Sequence, residues 1–219
     1  DFAGPFLTKC GRGKPKYKRY LAVFTCLQTR AVHLEMTYNL EANSFMNAFS
    51  RMTDRRGYPR EIISDNGTTF VKAEKEIAKI MLKDKDKLNN LGVEPIKWRF
   101  NPPYASNFGG IFEIMVKASK RALYHILVNS DVNDEELQTA FCHVESLLNS
   151  RPLTLASNEI SDELPLTPNH FLHGRINIGC VLSKLDNNDN LLHPTKCWKY
   201  IQLLLNNYWN RWQKELIHT

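Results

Sequence analysis

The sequence predicts a mixed α/β fold, and three features carry that expectation. Two neighbouring segments rich in β-branched and aromatic residues flank the short turn Gln28-Thr29. Past residue 41 the apolar spacing lengthens to three and four residues, and the short apolar run Glu61–Ser64 interrupts it. Helical spacing then dominates from Ile111 onward.

Taken in order, Asp1–Phe6 reads as a strand ended by Gly4-Pro5, followed by the basic loop Lys9–Lys18 with Gly11, Gly13 and Pro15. Lys18–Leu27 (KRYLAVFTCL) is a second strand. Arg30–Met36 is its hairpin partner, alternating Ala31, His33 and Glu35 against Val32, Leu34 and Met36. Phe45, Ala48, Phe49 and Met52 predict a helix from Glu41 that stops at Gly57 and Pro59. Glu61–Ser64 is a short buried parallel strand, broken by Asp65-Asn66-Gly67. Phe70–Leu82 is helical by the spacing of Ile77, Ile80 and Met81, and the polar Lys83–Asn90 stretch is an exposed loop. Pro95–Phe100 is a fifth strand, closed by Asn101-Pro102-Pro103.

Ile111–Val128 and Asn133–Asn149 are two further helices, the second opened by Asp134-Glu135-Glu136, which suit the positive end of the helix dipole. Beyond Arg151-Pro152 the chain is irregular, and a last amphipathic helix over roughly 195–216 carries Trp198, Tyr208, Trp209 and Trp212. The expected organisation is a core over residues 1–150 and a helical, irregular extension over 151–219. In the core an antiparallel meander is continued by strands reached through helical crossovers.

Composition narrows the function classes. A hydrophobic fraction of 42% and an aromatic fraction of 11% exclude wholesale disorder. No stretch approaches the roughly 18 apolar residues of a membrane span, and no signal peptide opens the chain. Because it begins at Asp1 without Met, the chain is expected to be a piece of a longer polyprotein.

The net charge of +6 is segregated: residues 1–20 hold six cations (Lys9, Arg12, Lys14, Lys16, Lys18, Arg19) and the single acid Asp1. Residues 131–163 hold eight acids and one Arg. One part of the surface can therefore meet phosphate while another faces solvent. The five cysteines are scattered without a C-x-x-C pair, which points to a reducing compartment. His170, His173, His193 and Cys197 lack the paired spacing of a zinc ribbon, and ordinary packing histidines are the better reading.

Three acids occupy positions that a two-metal phosphoryl-transfer site would use. Asp1 opens the first strand, Asp65 ends the strand EIIS, and Glu113 sits in the first turns of the long helix. Carboxyl ends of neighbouring parallel strands are where open α/β sheets hold ligands. Mg²⁺ takes a few carboxylates together with substrate phosphate. Each acid also has a plain alternative: Asp65-Asn66-Gly67 is a common turn, Glu113 is a helix-start acid, and Asp1 is a chain terminus.

At these residues the sequence resembles the integrase region of Pao/BEL-type long-terminal-repeat retrotransposon polyproteins, itself similar to retroviral integrases. The matching stretches are DFAGPF (1–6), KRYLAVFTCLQTRAVHLE (18–35), RRGYPREIISDNGTTF (55–70), FNPPYASNFGGIFE (100–113) and LLNSRPLT (147–154). LTPNHFLHGR (166–175) and the closing WKYIQLLLNNYWNRWQKEL resemble the segment C-terminal to the core in those polyproteins. Where family members read HFGG-x-W-E, this chain has Asn107-Phe108-Gly109-Gly110-Ile111-Phe112-Glu113. The 47 residues between Asp65 and Glu113 exceed the retroviral spacing, an excess that the Lys83–Asn90 loop can absorb.

The resemblance implies a ribonuclease-H-like fold with one mixed five-stranded sheet flanked by helices. It implies Asp1, Asp65 and Glu113 as the ligands of Mg²⁺ or Mn²⁺, two ions in all, with Asn66 and Asn101 in support. Its implied activities are 3′-end processing and strand transfer, its partners the double-stranded ends of the element, target DNA and further copies of itself. It implies no membrane partner, and a nuclear site of action after a cytoplasmic particle stage. Lys117 and Lys120, with Arg121 beside them, match lysines that contact the DNA end in retroviral integrases. Lys14, Lys16 and Lys18 are the corresponding candidates in the basic loop. The alternatives are a catalytically inactive, host-retained DNA-binding or assembly module and, less in keeping with the FGG-x-x-E element, a ribonuclease H proper.

Residues 1–219 alone are expected to bind DNA weakly and to fail at strand transfer. Asp1 would be both ligand and terminus, and its protonated α-amino group would oppose a bound cation. On phosphate contact, affinity for duplex DNA should fall with salt at a log–log slope near −0.9 per neutralised phosphate. Changing Lys117 and Lys120 together to Ala should flatten that slope in a salt titration. An unchanged slope would return both lysines to an ordinary solvated face.

Overall fold

The protein is represented by a computed structural model that describes residues 1–9, 15–83, 94–102, 110–127, 132–153 and 165–174. The described strands are β1 (Phe2–Lys9), β2 (Lys16–Thr25), β3 (Val32–Thr37), β4 (Glu61–Ser64) and β5 (Lys97–Phe100). The described helices are α1 (Ala42–Arg56), α2 (Thr68–Lys83), α3 (Gly110–Leu127), α4 (Asp134–Asn149) and α5 (Pro168–His173). Through α4 the element order matches the pattern read from sequence, whereas α5 forms where the sequence reads as irregular. The Lys83–Asn90 loop beyond Lys83, the closing amphipathic helix, His193 and Cys197 lie outside the described residues.

The strands fall into two sheets rather than the single five-stranded sheet expected: three strands in the order β1-β2-β3, and a parallel β4-β5 pair. Asp1 N–H donates to Val23 O at 3.1 Å and Val23 N–H to Asp1 O at 2.8 Å, the reciprocal pairing of antiparallel neighbours. Glu61 to Ser64 pair in register with Lys97 to Phe100. β1 carries Pro5, which has no N–H, and Gly4 at φ 127°, both of which interrupt a regular ladder.

Gly4-Pro5 does not end the strand, contrary to the sequence reading. β1 is an edge of its sheet, where a residue without a donor is tolerated. The Gly4 backbone is one that L side chains rarely adopt, and a Cβ there would lie 3.1 Å from Arg19 O.

The chain divides into two compact units. The first comprises Asp1–Phe6, Lys18–Phe24 and Glu35–Val116. Its core is Phe45, Phe49, Met52, Phe70, Ala73 and Ile77, with Phe2, Phe24, Trp98 and Phe100 packed against it. α1 supplies the first three at the spacing that predicted the helix, and Gly57 at φ 85° ends it, its N–H donating to Thr53 O. Glu35, on β3, is 1% exposed and paired at 2.6 Å with both Arg51 and Arg55, one turn apart on α1. Arg51 also donates to Met36 O at 2.8 Å.

The second unit comprises Leu7–Tyr17, Thr25–Leu34 and Lys117–Thr219. α4 opens with a capping box in which Asn133 and Glu136 satisfy each other's backbone N–H. Its Asn149 side chain accepts from Val32 N–H and donates to Val32 O, both at 2.8 Å. One turn earlier, Glu145 accepts from Leu34 N–H at 2.8 Å and lies 3.3 Å from His33 Nδ1. An edge strand presents unpaired backbone groups, and here α4 side chains occupy them.

The alternation in β3 predicts one buried face, yet all six of its residues are buried. His33 and Glu35 tolerate burial because each faces an opposite or hydrogen-bonding partner on a helix. Among the described residues no helix is long and apolar enough to cross a membrane.

Asn149→Ala should orphan both the N–H and the carbonyl of Val32. At ~1–3 kcal/mol for each buried group left without a partner, urea denaturation should show a loss of about 2–6 kcal/mol. Asn149→Asp should not rescue the loss, because a carboxylate cannot donate to the Val32 carbonyl.

Candidate functional site

Asp65 comes directly after the last residue of β4 and precedes α2, where the chain must turn from a strand into a helix. The turn is built from its own carboxylate: Oδ1 accepts the Gly67 N–H at 3.0 Å, an Asx turn. Residue 67 must be small, since a Cβ there would lie 3.0 Å from that oxygen and 3.3 Å from Phe70 Cδ2. Asn66 Nδ2 donates to Asn101 O at 2.7 Å, and Asn101 N–H donates to Ser64 O at 2.9 Å. The two asparagines thus tie the end of β5 to the turn after β4.

Asp1 reaches the same neighbourhood through the residue after it. The Phe2 ring stacks on Phe70 with centroids 5.3 Å apart and meets Phe45 edge-on at 6.0 Å. Phe70 stands five residues after Asp65, in the first turn of α2. The Asp65 carboxylate acts electrostatically on the Asp1 α-amino group. Asp1 Oδ1 accepts the Phe2 N–H at 2.5 Å. Both acids are exposed, and among the described residues neither carboxylate has a second protein donor.

Glu113 lies in the first turn of α3 and is half-buried. Among the described residues no three His, Cys, Asp or Glu side chains stand close enough together to hold a metal ion. Asp1 and Asp65 are thus tied to one aromatic cluster through Phe2 and Phe70, and among the described residues the three acids do not form a metal-holding group. Each carboxylate is anchored through one oxygen, and carboxylate oxygens are the donors that a hard divalent cation takes.

The basic candidates divide. Lys16 and Lys18 are exposed at the start of β2, Lys117 and Arg121 are exposed on α3, and Lys120 is half-buried. Lys14 lies outside the described residues. Ser64 and Trp98 escaped the sequence reading, yet Trp98 Nε1–H donates to Ser64 Oγ at 3.0 Å directly behind Asp65. Nothing in the sequence marks that pair except the register of β4 and β5, which sequence does not supply.

One electrostatic expectation is corrected. Burial pushes the Asp1 α-amino group down to about 6 from 8.0, the Asp65 carboxylate opposing the shift. The amine is shielded within the β1–β2 ladder although the residue as a whole is exposed. The folded terminus therefore holds its proton less tightly than a free one would.

The fold is mixed α/β and integrase-like. Among solved structures the chain is similar to a chain of the simian T-cell lymphotropic virus intasome in complex with PP2A regulatory subunit B56 gamma. That likeness has a TM-score of 0.51 and 16% identity, and it covers 77% of this chain and 52% of that one. The HTLV-2 integrase catalytic core domain in complex with magnesium, in its dimeric form, is matched at a TM-score of 0.49 and 19% identity, over 77% of this chain and 92% of that chain. No family model and no curated protein matches the sequence. The likeness to the intasome chain is one of fold, and this chain spans about half of its length.

The lowered amine sets a pH dependence. Between about 6 and 8.0 the unfolded chain holds a proton that the folded chain has released. Stability of the 219-residue polypeptide should therefore rise with pH across that window and fall as pH drops toward 6. Urea midpoints at pH 6 and 8.5 check the sign. Acetylation of the α-amino group should remove this part of the slope.

Proposed function

We propose that the chain is the catalytic core of a Pao/BEL-type retrotransposon integrase, which processes the 3′ ends of the element and joins them to target DNA. The observation that carries the proposal is the convergence of Asp1 and Asp65 on one aromatic cluster, within an integrase-like fold. In this reading Asp1, Asp65 and Glu113 hold divalent metal, Mg²⁺ or Mn²⁺, as two ions. Such ions, when bound, stabilise the attacking and leaving oxygens at phosphorus. The protein's own part is placement. The Asx turn aims Asp65, the β1–β2 ladder holds Asp1, and Asn66 fixes the neighbouring β5 end.

Lys117, Lys120 and Arg121 on α3, with Lys14, Lys16 and Lys18 before and within β2, would contact DNA phosphates, which position a duplex without reading its sequence. The core over residues 1–150 would work within a homo-oligomer in the nucleus, after a cytoplasmic particle stage, with residues 151–219 as its extension. A second reading is supported by the lack, among the described residues, of three acids gathered closely enough to hold a metal: a host-retained or inactive module that keeps the fold and binds DNA without catalysis.

Divalent binding separates the two. A metal held by the acids stabilises the folded state by RT ln(1 + [L]/Kd). Mn²⁺ should therefore raise the melting temperature of the wild-type chain and not that of the Asp65→Asn/Glu113→Gln double variant. Equal shifts in both would remove the metal site. A strand-transfer assay on a protein extended upstream of Asp1, against Asp65→Asn, then decides between enzyme and inactive module.

A further inference from the structure

We infer that Trp98 and Ser64 are positioning residues for Asp65, acting through the backbone on which its carboxylate is mounted. The inference rests on the reading of Asp65 as a metal-holding carboxylate. Trp98 Nε1–H donates to Ser64 Oγ at 3.0 Å, and the Ser64 hydroxyl donates in turn to the Asp65 carbonyl at 2.9 Å. Ser64 is buried, so its hydroxyl depends on protein partners. It accepts from one side and donates to the other, as a hydroxyl can.

The relay completes the restraint of one residue. Holding the Asp65 carbonyl fixes the backbone rotation just after its Cα, while Gly67 N–H fixes the side chain through Oδ1. A Cβ at residue 67 would lie 3.0 Å from that oxygen, so glycine leaves the carboxylate its place. Together these two hydrogen bonds restrain both the backbone and the side chain of Asp65. Strand register makes the relay possible: Ile62 pairs with Trp98 and Ser64 with Phe100, so the indole reaches two residues along β4 to the serine.

Packing alone does not account for a tryptophan at position 98. Its ring lies 6.1 Å from Phe45 and 6.0 Å from Phe100, contacts that a phenylalanine would also make. What phenylalanine lacks is the N–H. Trp98→Phe therefore removes the donor and keeps an aromatic ring in the cluster.

The test uses the 219-residue chain with Trp98→Phe, Ser64→Ala and Ser64→Thr, the last retaining the hydroxyl. Amide hydrogen exchange at Gly67 and Asn101 is measured without metal, and Mn²⁺ affinity by calorimetry. Trp98→Phe and Ser64→Ala should speed exchange at both amides and weaken Mn²⁺ binding roughly fivefold, the weight of one neutral hydrogen bond. Amides within α1 should keep wild-type rates, and Ser64→Thr should behave as wild type. Wild-type exchange at Gly67 in Trp98→Phe would overturn the inference, as would an equal rise throughout α1, which would mark a general loss of packing. If wild type and Asp65→Asn bind Mn²⁺ alike, the metal reading of Asp65 falls. Exchange at Gly67, with its rescue by Ser64→Thr, then decides the positioning role by itself.

Discussion

The contact on which the candidate site depends is aromatic. Phe2 lies flat against Phe70 and edge-on to Phe45, and Phe45 meets Phe70 at 5.1 Å with planes 87° apart. Three rings from β1, α1 and α2 thus close one knot, in the offset and edge-to-face arrangements that ring quadrupoles favour. Asp1 is one residue from that knot and Asp65 five residues from it, Asp1 just before β1 and Asp65 in the turn after β4. Two like charges gain nothing by approaching each other, so something else must hold them together. Full burial of a large apolar side chain such as Phe70 is worth about 1.5–3 kcal/mol, and the half-buried Phe2 adds part of that. Mutual repulsion of two exposed carboxylates is screened by water and is the smaller effect.

The same trade governs β3. Glu35 is a charge without access to water, which is costly unless its partners are close and well aligned. Arg51 and Arg55 meet that condition because residues four apart on a helix share a face. Both arginines remain nearly half exposed, so only the carboxylate loses its hydration fully. Asn149 and Glu145, also four apart, do the equivalent for the backbone groups of Val32 and Leu34. In each unit a helix supplies a pair of polar side chains at one-turn spacing, and the strand accepts burial on both faces.

Most elements were legible because their signals are local. α1 announces itself in Phe45, Ala48, Phe49 and Met52, and Glu61–Ser64 proves to be β4 at the expected residues. The failures come from pairing, which is not local. Gly4-Pro5 reads as a strand end until β1 is known to be an edge. The apparent polar face of β3 reads as solvent-facing until Arg51, Arg55 and Glu145 are brought to it. Trp98 reads as a strand aromatic until register sets its indole beside Ser64. The division of five strands into two sheets was likewise invisible, since nothing in β4 or β5 alone states which neighbours they take.

Asp65 shows why a plain reading and a functional one need not compete. From sequence, Asp65-Asn66-Gly67 is either a turn or a ligand-bearing segment. In the fold the turn is made by the carboxylate itself, through one oxygen only. A carboxylate has two oxygens and about four lone-pair directions, so the turn consumes a minority of its accepting capacity. Asp65 itself stays exposed. Turn formation also removes the rotamer freedom that a ligand would otherwise have to remove on binding. An acid that makes its own turn is for that reason a better-prepared ligand than one on a regular strand. The glycine two residues on belongs to the same device: it donates the N–H, and its missing Cβ leaves the carboxylate room to stand where the turn puts it.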